Sequence, residues 1–188
     1  KNVFIFNRKY RLNSIYAIIF SSILLFSLNL PAQTIAIINI QHLIDNNPTY
    51  IKTLREIEYN QNLYLKEFES KESEFKINLK KIEDSKLILN QDEINIQIDK
   101  YNNELSKFSN LVDEFNSHYQ YQIFKIREIV LEEIIVLLEK YASENNVDLI
   151  LDSTSYLIAS NSLDITEIIK KNLNKLNLKL EFDNFEKN

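Results

Sequence analysis

Residues 94–129 read INIQIDKYNNELSKFSNLVDEFNSHYQYQIFKIREI, and the spacing of their apolar side chains decides the fold. Steps of three and four residues pass through Ile94, Ile98, Tyr101, Leu105, Phe108, Val112, Phe115, Tyr119, Gln122, Ile126 and Ile129, of which ten of eleven are apolar. A repeat of 3.5 residues keeps such a stripe on one side of a helix wound around a partner. The partner lies upstream. Ile51, Leu54, Glu58, Gln61, Leu65, Phe68, Glu72, Phe75, Leu79, Ile82, Lys86 and Leu89 form a second row, eight of twelve apolar, with polar breaks at Glu58, Gln61 and Glu72. Between the rows lies LNQDE, residues 89–93, where Asn90 is expected to end one helix in the left-handed conformation and Asp92 to cap the next. Two helices joined by so short a turn run antiparallel. About forty helical residues span about 60 Å, so residues 48–143 are predicted to form a projecting coiled-coil hairpin.

The arm's two ends lead into shorter elements. TIAIINI, residues 34–40, is a continuous β-branched run and reads as a buried strand. QHLIDNN, residues 41–47, reads as a brief helix, with Asn47 and Pro48 as N-cap and first residue of the long one. After the arm comes NVDLILDSTSYLIASNSLDIT, residues 146–166, with Asn145 or Asn146 standing where a C-terminal glycine is usual. Val147–Leu151 and Tyr156–Ala159 read as two strands folded back on one another. Asp164 and Glu167 form a capping-box pattern ahead of a closing helix, and residues 177–188 read as a frayed tail.

The expected class is therefore α+β: a long helical hairpin on a small β body, residues 33–47 and 144–176. Three short strands expose edges and an apolar face, and an arm pointing away cannot cover them. Completion by other copies of the chain is expected, through Ile35, Ile37, Ile38, Ile40, Val147, Leu149, Leu151, Tyr156 and Ile158. Further apolar residues fall off the heptad rows. Those in 121–138 read as packing at the arm's base, where IFKIREIVLEEIIVLL is apolar nearly all round. Tyr59, Tyr64 and Ile77 lie further out, and packing and an adhesive face are equally open for them.

Residues 1–32 carry the parts of a secretory signal: Lys1, Arg8, Lys9 and Arg11 without an acid, an apolar stretch from Ile15 to Leu28, and Ala32 before a cleavage point. The apolar run is shorter than the ~20 residues a membrane span needs. Removing those four cations from 22 leaves 18 against 27 acidic residues, a net charge of −9. An acidic chain is a poor partner for nucleic acid, and membrane contact gains no support from that charge. The absence of Cys and Gly excludes disulfides, thiolate metal sites, phosphate-binding glycine loops and dinucleotide fingerprints. His42 and His118 are the only histidines and have no partner at a metal-ligand spacing. No cofactor or metal is expected.

The order strand, helical hairpin, strands and closing helix in an exported chain resembles the Skp (OmpH) family of periplasmic chaperones. IAIINIQHLIDNNP and VDLILDSTSYLIASNSLDIT carry the resemblance, which runs over about residues 34–176, while the coiled coil matches in pattern and length alone. The resemblance implies a homotrimer with three arms around a cavity that holds unfolded outer-membrane proteins without ATP; on the adhesive reading of the off-heptad residues, Tyr59, Tyr64 and Ile77 are its client-facing positions. The chain departs from the family in charge. Lys76, Lys80, Lys81 and Lys86 gather toward the tip but are interleaved with Glu72, Glu74, Glu83 and Asp84, a salt-bridged face rather than a lipid site. A second reading is an envelope adaptor docking a partner through its hairpin tip. Enzymatic function is not expected: Asp148, Asp152 and Asp164 sit at strand-end and cap positions, with no nucleophile and base at a credible spacing.

Overall fold

The computed structural model describes residues 33–186; the expected signal segment lies outside them. The elements are β1 (Ile35–Ile38), α1 (Ile40–Asp45), α2 (Pro48–Ser85), α3 (Gln91–Asn145), β2 (Leu149–Asp152) and α4 (Thr166–Leu173), with 3-10 turns at Ser153–Ser155 and Asn161–Leu163. The 38 residues of α2 and 55 of α3 make the antiparallel arm. Its starts follow local chemistry. Asn47 accepts from the Tyr50 N–H ahead of Pro48, satisfying one of the amides a helix N-terminus leaves free.

Asn90 does not end α2. Its backbone is extended at φ −75°, and it caps α3 in a reciprocal box with Glu93. The helix instead stops at Ser85, and residues 86–90 carry the turn. At the other end Asn146 does take the left-handed conformation, φ 52° and ψ 46°, and its N–H reaches the Ala142 carbonyl.

β1 and β2 pair in parallel, with Ile35 opposite Leu149 and Ile38 opposite Asp152. A parallel pair needs a long crossover, and the whole arm is that crossover. The expected hairpin between residues 147–151 and 156–159 does not form. Tight hairpin turns favour residues at positive φ, and the chain has no glycine. Asp152 instead accepts from the Thr154 N–H at 3.2 Å, the Thr154 hydroxyl at 2.7 Å and the Ile40 N–H at 3.0 Å, which turns the chain into a 3-10 segment. The other edge of β1 is met by Asp164, paired to Ile37, with the Ile165 N–H donating to the Ile37 carbonyl at 3.0 Å.

The core sits where β1 meets the base of the arm. Ala36, Ile38, Leu43, Ile44, Ile57, Ile126, Val130, Ile134, Ile169 and Leu173 are all buried there, each large side chain contributing about 1.5–3 kcal/mol. The expectation that nothing in one copy covers the sheet is corrected in part: Ile37 and Ile38 are 6% and 1% exposed within the single chain, while Ile35 at the start of β1 stays in solvent. Ile40 opens α1 rather than extending the strand.

The capping box expected at Asp164 and Glu167 does not form: Ile165 is the N-cap and has no side-chain cap bond, Asp164 instead accepts from the Thr166 N–H at 2.8 Å in the turn ahead of the helix, and Glu167 turns to Lys170 at 3.4 Å. Residues 177–186 are not frayed. Leu178, Leu180 and Phe182 pack against the core and Phe185 is 7% exposed.

Along the arm, one of the two predicted rows of α2 is displaced by one residue. The row through Phe68, Phe75 and Ile82 is buried as expected. The other runs through Tyr50, Ile57, Tyr64, Asn78 and Ser85, interrupted by the exposed Lys71, and Glu58, Leu65, Glu72, Leu79 and Lys86 face solvent. Glu58 and Glu72 are surface residues, not breaks in the seam. In α3 every predicted row position except Leu105 is at least partly buried.

Candidate functional site

Aromatic rings zip the arm together. Tyr101 of α3 meets Phe75 of α2 at 5.7 Å, Phe75 meets Phe108 at 5.4 Å, Phe108 meets Phe68 at 5.7 Å, and Phe68 meets Phe115 at 5.0 Å. Rings at these distances, mostly edge to face, add to their burial. Lys71 takes a row position in this ladder with its ammonium 5.5 Å from the Phe75 ring centroid. Its hydrogen bond to Glu74, 2.8 Å long, holds that ammonium above its ordinary value.

With the seam occupied, other apolar groups are left outside. On the arm these are Tyr59, Leu63, Ile77, Tyr121 and Phe124, each more than half exposed, and at the tip Leu87, Ile88 and Ile96. Tyr59 and Ile77 are 66% and 56% exposed, an accessible apolar pair on α2. Tyr64 is different. It packs on Phe115 and Phe185 at 5.5 Å each, and its hydroxyl donates to the Phe185 carbonyl at 2.6 Å. Tyr121 and Phe124, assigned to packing from sequence, stand in solvent because the buried row of α3 passes through Tyr119, Gln122 and Ile126 instead.

The nine expected assembly positions divide. Ile37 and Ile38 are buried, and Ile40 and Val147 pack against the chain's own core. Leu151 and Tyr156 are half-buried. Ile35 and Leu149, paired across the sheet, remain 37% and 47% exposed, and Ile158 is 93% exposed beside Leu157, which is fully exposed. The body therefore presents one bare apolar loop and one partly bare strand pair.

The histidines serve as connectors. His42 lies 3.4 Å from the Lys170 ammonium and 4.0 Å from Glu167, next to the Arg127–Gln41 hydrogen bond at 2.6 Å, which ties α1 to α3. His118 Nε2 donates to the Asp183 carbonyl at 2.8 Å, a role sequence reading missed. The signal for it was present, since Leu178, Leu180 and Phe182 alternate with polar residues ahead of Phe185. Among the described residues no three His, Asp or Glu side chains gather where a metal could be held, and no helix is long and apolar enough to cross a membrane.

A small parallel sheet from which a two-helix arm projects, closed by a short helix, defines a class. The sequence profile of the outer membrane protein (OmpH-like) family matches residues 34–173, and the chain belongs to that family. A similar solved structure is that of a candidate OmpH-like outer membrane chaperone from Caulobacter crescentus CB15. It superposes with a TM-score of 0.67 at 13% identity, over 84% of this chain and 94% of that one, and so shares the fold. No curated protein sequence matches the chain.

Proposed function

We propose that this protein is an ATP-independent holdase of the periplasm, which keeps unfolded outer-membrane β-barrel proteins soluble between the arms of a homotrimer and catalyses no reaction. The observation that carries the reading is the family match over residues 34–173 on an arm whose sides leave Tyr59, Leu63, Ile77, Tyr121 and Phe124 in solvent. An unfolded barrel chain alternates apolar and polar residues and has no fixed shape. Scattered, singly weak apolar contacts along a rod suit it better than a preformed pocket. Assembly is supported by Leu157 and Ile158, two large apolar side chains bare at the body.

The test uses the chain from Gln33 onward. A urea-denatured porin diluted into buffer with stoichiometric trimer should stay soluble without nucleotide. Aggregation as fast as in buffer alone rejects the reading. A second reading, an envelope adaptor, is favoured by the tip, where Leu87 and Ile88 are 90% and 86% exposed. Replacing both by Ser would abolish capture of one defined partner if the adaptor reading holds, and would leave porin solubilisation intact if the holdase reading does.

A further inference from the structure

The family match stops at residue 173, yet the chain continues and the continuation is bound. Residues 177–186 lie across both arm helices. Burial alternates along them: Leu178, Leu180 and Phe182 are half-buried and Lys179, Glu181 and Asp183 exposed, as in an extended chain laid on a surface. Phe185 then enters the aromatic ladder, 5.5 Å from Tyr64, 5.4 Å from Phe115 and 5.7 Å from His118.

The seat grips the tail mainly by its backbone. Tyr64 donates to the Phe185 carbonyl, His118 to the Asp183 carbonyl, and the Asp183 N–H donates to Gln122 Oε1 at 3.1 Å. The Lys125–Asp183 ion pair, 3.6 Å, is exposed and adds little. Backbone-directed bonds are indifferent to sequence. What they select is an extended strand with apolar groups on one side and an aromatic ring at its end.

Tyr119 is fully buried beneath this seat, its hydroxyl beside the Phe185 backbone.

We propose that the groove formed by Tyr64, Phe115, His118, Tyr119 and Gln122 is a binding site for extended, apolar–polar alternating segments of unfolded barrel proteins, and that residues 177–186 are its displaceable internal occupant. The ligand class rests on the holdase reading, and the seat itself on the tail's geometry. A competitor tethered in cis weakens apparent affinity by the fraction of time it leaves the seat open; a tail lifted in about one copy in a hundred weakens it about 100-fold.

The test uses two full-length forms of the exported chain. Phe185→Ala loosens the tail, and Lys125→Cys with Asp183→Cys, joined by a short bis-maleimide that spans the gap the long lysine side chain bridges, pins it in a chain that otherwise has no cysteine. Two labelled probes are titrated: a cysteine-free denatured porin, and a synthetic peptide of residues 177–186. Phe185→Ala should bind both at least about tenfold more tightly than the unaltered chain, each probe displacing the other, and the crosslinked double-cysteine form should bind both at least about tenfold more weakly than the same form before crosslinking. Equal affinities in the unaltered and Phe185→Ala chains overturn the proposal and make the tail simple packing, whether or not the porin is held. If no form binds porin while Phe185→Ala still gains the peptide, the holdase reading falls, the seat stands, and its assignment to barrel segments is overturned.

Discussion

Asn146 shows what a chain without glycine must do at a helix end. It is the one positive-φ position among the described residues, and Asn tolerates the left-handed region better than other residues with a β-carbon. Asn146→Gly should stabilise the chain by several tenths of a kcal/mol, and Asn146→Val should cost about 1–2 kcal/mol, both read from urea unfolding. Asp152 ties the sheet to α1. Burial pushes its carboxyl up, but the bonds from Thr154, Ile40 and Ser153 together outweigh that and hold it below 3.8. A depressed carboxyl stabilises fully above its unfolded value and loses its contribution as pH falls through the folded one. Asp152→Asn should therefore cost about 1–2 kcal/mol at pH 7, with the gap closing below pH 3.8. Thermal melts from pH 7 to pH 2 measure it, and a gap independent of pH contradicts the assignment.

The arm was readable at the level of elements, because a 3.5-residue repeat is a property of the chain alone. Which of two neighbouring rows turns inward was harder to see. Ile51, Leu65 and Leu79 are as apolar as Tyr50, Ile57 and Tyr64, and a local pattern does not say which row meets the other helix; Tyr64 is placed by its contact with Phe115. Phe68→Ala and Phe115→Ala should each cost about 3–5 kcal/mol, whereas Glu72→Ala should stay within about 0.5 kcal/mol. Urea midpoints separate these outcomes, and a large effect at Glu72 would restore the displaced row. The sheet was readable only in part. β1 and β2 stand out by β-branched and apolar runs, but their partners depend on the Asp152 turn and on Asp164 reaching back to Ile37, neither of which a local pattern contains. The tail was missed for a related reason. A ten-residue alternating stretch says that it will lie on something, and not on what. Of the candidate surface, the sequence left packing and an adhesive face equally open at Tyr59, Tyr64 and Ile77; in the fold Tyr59 and Ile77 stand in solvent while Tyr64 packs under the tail.

Taken as a whole, the molecule covers most of β1 and leaves Leu157 and Ile158 bare, with Ile35 and its sheet partner Leu149 also exposed. Replacing Leu157 and Ile158 together by Ser should leave the monomer fold intact, since neither belongs to the core cluster, and should lower the solution mass from that of the proposed homotrimer toward monomer. Light scattering reads that mass, and an unchanged oligomer would move the assembly surface elsewhere. The central claim is that the arm's exposed apolar side chains hold an unfolded barrel protein. Photo-crosslinking amino acids placed at positions 59 and 77, with controls at the solvent-facing positions 80 and 100, test it most directly when a denatured porin is diluted into the assembled protein. The account predicts porin adducts from 59 and 77 well above those from 80 and 100. A porin kept soluble with no adduct at 59 or 77, or with equal labelling at all four positions, would contradict it.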